Sequence, residues 1–141
     1  MVADHVAGPW SLWITASHQR LVGEKLCVPS ELYMLPAVVL CHDTAVDPLF
    51  VYANAAAQKL WERSWEQFIG WPSRLTAPPQ ARAQRAAALA EDGVVRGYSG
   101  VRVAASGRLF RIHDATVWTV SDDAGQVVGQ AATFARVTPV G

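Results

Sequence analysis

From Tyr98 onward the chain alternates. Three segments, "YSGVRVA" (98–104), "RLFRIHDATVWTVS" (108–121) and "VVGQAATFARV" (127–137), change from helical spacing to a period of two. That period marks a strand with one face on a core. Ser106-Gly107 and Asp122-Asp123-Ala124-Gly125 separate the segments, and residues of these types make the turns that join antiparallel neighbours. A meander of three such strands needs a covering layer, and the earlier part of the chain supplies helices for it.

Residues 1–9 read as a loose lead-in broken at Gly8-Pro9. Beyond it Trp10, Trp13, Ile14, Leu21, Val22 and Leu26 recur at roughly helical spacing, with Thr15 or Ser17 as the cap of a helix running on through "HQRLVGEKL". "SELYML" adds a short helical segment before Pro36. "AVVLCHD" (37–43) and "LFVY" (49–52) are strand candidates that form a hairpin or near-hairpin across "DTAVDP". Asn54 is placed to cap "AAAQKLWE", and Ser64 and Gln67 have the spacing of a capping box before "WEQFI". Pro78 and Pro79 suit the first turn of a further helix, "PPQARAQRAAALAED", with Gly93 at its end. The order predicts an α+β domain with a five-stranded antiparallel sheet, helices on one face and an N-terminal helix. Its body spans 17–137, after a lead-in and helix start over 1–16 and before a tail over 138–141.

Charge excludes one class of partner. Twelve basic and 12 acidic residues leave a net charge of +0, so a nucleic-acid interface is not expected. No apolar run approaches the roughly 20 residues of a bilayer span, and the first residues lack the pattern of a signal peptide. Cys27 and Cys41 make neither a disulfide framework nor a zinc spacing, which fits a reducing cytoplasm. No nucleophile triad, phosphate loop or HExxH sequence occurs, so the chain is not expected to be an enzyme.

Within "FRIHDATVW" a period of two puts Phe110, Ile112, Asp114, Thr116 and Trp118 on one face. A carboxylate in that apolar row must be protonated, hydrogen-bonded or paired. Asp114 is therefore a brace for an Arg or a helix end, a contact for a ligand, or, in an enzyme, an acid or base. His113 points the other way, so the two do not form a catalytic pair. Gln130 shares a face with Val128, Ala132 and Phe134 and suits the polar anchor of a pocket. Arg74, Arg82 and Arg85 form a solvated face or a fork for an anion, with Arg74 the candidate partner of Asp114. Trp61, Trp65 and Trp71 flank the helices, with Trp118 facing them from the sheet, while Trp10 and Trp13 suit docking on the outer sheet or on another copy. The candidate ligand site is thus Asp114, Gln130, Arg74, Trp118, Trp61 and Phe110.

"FVYANAAAQKLWERSWEQFIG" resembles the signature of PAS domains. "LYMLPAVVLCHD", "DPLFVYAN", "PSRLTA", "YSGVR", "SGRLFRI", "VW" and "GQAATF" resemble, in order, the blocks of the PAS-related MEKHLA domain, in its stand-alone bacterial form. That resemblance implies a sensory or interaction module that dimerises or contacts a regulator protein, and the apolar inner face with its isolated polar groups suits an unknown small, largely apolar molecule. A purely structural interaction domain with a filled core is the alternative. Heme and flavin are not supported. The Asn-Cys-Arg-Phe-Leu-Gln block of light-sensing relatives is absent, and residues 54–93 hold no His for heme.

Overall fold

The computed structural model describes residues 8–76 and 93–140. The helix expected over "PPQARAQRAAALAED", with Arg82 and Arg85, lies outside them. Helix α1 (Pro9–Val22) starts at its proline, whose missing N–H is no loss in a first turn, and ends where Gly23 takes φ +92°. Thr15 and Ser17 therefore sit inside the helix instead of capping it. The Thr15 hydroxyl donates to the Ser11 carbonyl at 2.9 Å, and Ser17 Oγ accepts the Ser121 N–H at 3.0 Å.

A 3-10 turn (Pro29–Glu31) leads to β1 (Val38–His42) and β2 (Phe50–Ala53), then α2 (Ala55–Trp61) and α3 (Trp65–Phe68). Both expected caps form. Asn54 accepts from the Ala57 N–H, and Ser64 and Gln67 close a reciprocal box. After a second 3-10 turn (Ser73–Thr76) come β3 (Val94–Val103), β4 (Leu109–Ser121), β5 (Val127–Phe134) and β6 (Arg136–Pro139).

The sheet is antiparallel in the order β2-β1-β5-β4-β3, with β6 also on β4. It has six strands because the expected fifth breaks at Ala135. Its first part, β5, pairs with Thr116–Ser121, and its second, β6, with Phe110–His113. Helices α2 and α3 cover one face, called inner here, where Trp61 and Phe68 pack on Phe110, Ile112, Val117 and Phe134. Helix α1 covers the outer face, where Ile14 packs with Val39, Cys41, Trp118, Val120 and Ala131. Trp10 and Trp13 belong to this second cluster, as docking on the outer sheet requires.

Strand β4 changes phase halfway. Gly100 pairs with Ile112 and Tyr98 with Ala115, so two steps on β3 face three on β4. The extra residue is a bulge at Asp114, which sits at φ +56°. Short polar side chains tolerate that left-handed conformation better than most. Gly97, at φ +68°, restores the register on β3 by the same device. Phe110 and Ile112 are therefore inner, but so are Ala115 and Val117, while Trp118 and Val120 turn outward.

Candidate functional site

The bulge removes Asp114 from the inner face. Its side chain is exposed, so neither a buried brace nor a pocket carboxylate is formed. Trp118 is fully buried on the outer face, where its Nε1–H donates to the Ile14 carbonyl at 3.2 Å. Arg74 does not reach Asp114; its Nε lies 3.1 Å from Asp47 Oδ1, with both side chains about half exposed. His113 bonds Thr138 Oγ1 of β6 at 2.7 Å.

The other candidates stay on the inner face. Gln130 on β5 stands opposite His42 on β1, and its amide lies 2.7 Å from His42 Nε2. His42 Nδ1 is 2.8 Å from the Asp43 carbonyl, so the pair is tied to the backbone. Trp61 is buried edge-on to Phe110, with centroids 5.2 Å apart. Between these groups lies a hollow of about 30 Å³, walled by Leu40, Phe50, Ile112, Val117 and Phe134 and touched by Gln130, His42 and Trp61.

Two further residues complete the hollow. Tyr98, Gly100 and Arg102 are successive inner positions of β3, and Tyr98 and Arg102 both line the space. Arg102 is only 4% exposed. Its Nη1 donates to the Val101 carbonyl at 2.9 Å and its Nη2 to the Tyr98 hydroxyl at 3.0 Å, and both partners are neutral. The two ion pairs among the described residues are Arg74–Asp47 and Arg108–Glu62, so neither serves it. Among the described residues, the Trp61 Nε1–H is buried without an acceptor. The polar character added by these two groups is donor character. Strand alternation alone did not single out Arg102, because in "YSGVRVA" either set of alternate residues could face the core, and a charged one reads as solvated.

The base of the inner layer is held by Asn54, which is fully buried. Its Oδ1 accepts from the Val39 and Ala57 N–H groups at 3.0 Å each, and its Nδ2 donates to the Leu32 and Ala37 carbonyls at 3.2 and 2.8 Å. One amide thereby joins β1, the start of α2 and the segment before β1. No cluster of three or more potential metal ligands occurs among the described residues, and no helix there is long and apolar enough to cross a membrane.

The family model of the MEKHLA domain matches residues 9–139. No curated protein matches the chain. Among solved structures, the PAS domain of a protein from Colwellia psychrerythraea aligns with a TM-score of 0.62 at 16% identity, covering 78% of this chain and 91% of that one. An RNA-binding Light-Oxygen-Voltage receptor aligns at 0.61 and 20% identity, over 72% of this chain and 29% of that one. The photo-excited blue-light photoreceptor Vivid aligns at 0.58 and 16% identity, over 71% and 78%. These likenesses establish a PAS-type fold.

Proposed function

The chain belongs to the MEKHLA domain family, and from that membership we propose that it is a sensory module whose inner-face hollow takes a small molecule. The observation that carries this reading is the hollow itself: an apolar wall interrupted by a few polar groups, Gln130 and Arg102 among them. Trp61 and Phe110 form its aromatic side. Occupancy acts by favouring one arrangement of the sheet over another, since a ligand shifts an equilibrium only by its differential affinity. Helix α1, on the opposite face of the same strands, is the element placed to respond, and a second copy of the chain or a regulator protein is the receiver. The two free cysteines suit a cytoplasmic setting.

The photochemistry suggested by the light-receptor neighbours is not carried over. Cys41 and Cys27 both belong to the outer cluster, so no thiol faces the hollow to bond a flavin. RNA binding is not carried over either, since basic and acidic residues balance. Native mass spectrometry of gently purified protein, with a thermal-shift screen of small apolar molecules, tests the reading. A copurifying molecule or a saturable rise in melting temperature supports it. A bare chain that no compound stabilises removes its basis and leaves an interaction domain with a filled core.

A further inference from the structure

Building on that ligand-binding reading, we propose that the hollow is an anion site in which the Arg102 guanidinium receives the carboxylate of a short monocarboxylic acid and the apolar wall takes its tail. A buried cation needs a counter-charge, and Arg102 has only neutral partners among the described residues. Trp61, which also lines the hollow, adds a buried donor that lacks an acceptor among the described residues. An incoming group must therefore bring acceptors, and the two oxygens of a carboxylate match the guanidinium fork.

Gly100 keeps the donors in place. A methyl group there would come within 2.6 Å of the Tyr98 hydroxyl and 3.1 Å of Arg102 Nη1, so glycine lets Tyr98 fold back along β3 to meet the guanidinium. Size sets the rest of the ligand. About 30 Å³ is room for two or three water-sized groups, which a carboxylate and one methyl group already fill.

The test is thermal denaturation and calorimetry of the full chain with acetate, butyrate and hexanoate. Each is set against its neutral alcohol and against sodium phosphate at equal ionic strength. Wild type is expected to show a saturable rise in melting temperature with acetate but not with ethanol. Arg102→Met is expected to weaken acetate binding by about tenfold or more, with the ligand-free protein melting no lower than wild type. Gly100→Ala, which displaces the Tyr98–Arg102 pair without replacing either residue, is expected to act in the same direction.

An alkanoate response that survives Arg102→Met overturns the proposal, as does a ligand-free Arg102→Met protein that melts well below wild type, because the guanidinium is then a brace. A response to phosphate alone overturns it too. So does a response that appears only after Glu91→Gln and Asp92→Asn, since the chain then neutralises its own guanidinium. Equal responses to acetate and ethanol remove the anion assignment but keep the ligand-binding hollow. No response to any probe removes both.

Discussion

Replacing Asn54 with alanine measures what one buried amide does for this fold. Three losses are expected. The α2 N-cap goes, at about 1 kcal/mol. The Val39 N–H, near the start of the buried strand β1, loses its 3.0 Å acceptor and is left unsatisfied, at about 1–3 kcal/mol. The Leu32 and Ala37 carbonyls lose a donor, at less cost because a carbonyl has a second lone pair. The sum is about 3 kcal/mol, a melting shift of roughly 10 °C for a domain of this size. Asn54→Asp separates the two halves of the amide. A carboxylate still accepts from Val39 and Ala57 and suits a helix start, but it faces the carbonyls with no proton to give. It is expected to be destabilised at neutral pH and partly rescued by acid, which protonates the carboxylate. Urea unfolding followed by tryptophan fluorescence gives both values. An alanine variant that loses less than about 1 kcal/mol, or an aspartate variant as stable as wild type at pH 7, refutes the assignment of Asn54 as a two-sided joint.

Two more perturbations bear on the sheet and on α1. Asp114→Gly is expected to be neutral or stabilising because φ +56° is strained for any side chain, while Asp114→Val is expected to cost about 1–3 kcal/mol in denaturant unfolding; equal effects would mean the bulge yields freely. His18, buried edge-on against Trp118 with Nδ1 2.9 Å from the Glu24 carbonyl, has its pKa lowered from 6.5, first by burial. The unfolded chain then binds the proton more readily, so stability is full above about pH 6.5 and falls as pH drops toward the lower folded value. Wild type is expected to lose more stability than His18→Gln between pH 7 and pH 5, and parallel curves would rule out a contribution from this imidazole.

Much of the architecture was legible, because each element carried a local mark. Asn54, Ser64 with Gln67, and the two Gly-containing turns stand where their backbone chemistry is needed, and the period of two located the meander. The site was less legible for a different reason. A bulge adds one residue without altering composition, so "RIHDATVW" reads as unbroken alternation although everything after Asp114 has changed faces. That one residue moved Trp118 to the outer cluster and put Asp114 in solvent. Arg74 finds its partner in the β1–β2 loop, at Asp47, a pairing that no local pattern announces. Gln130 kept its expected face because β5 and β1 pair in unbroken register from Val38–Phe134 to His42–Gln130.

The phase change on β4 has a mechanical side. Beyond Asp114, Val117 lies on the hollow and the very next residue, Trp118, is bonded to the backbone of α1. The two compartments share a partition one polypeptide thick, so a molecule pressing on it works as on a diaphragm: a bowing of the plate meets the helix directly, with no hinge or long lever between. Such a device transmits small displacements over a short path, and its sensitivity is set by the stiffness of one strand.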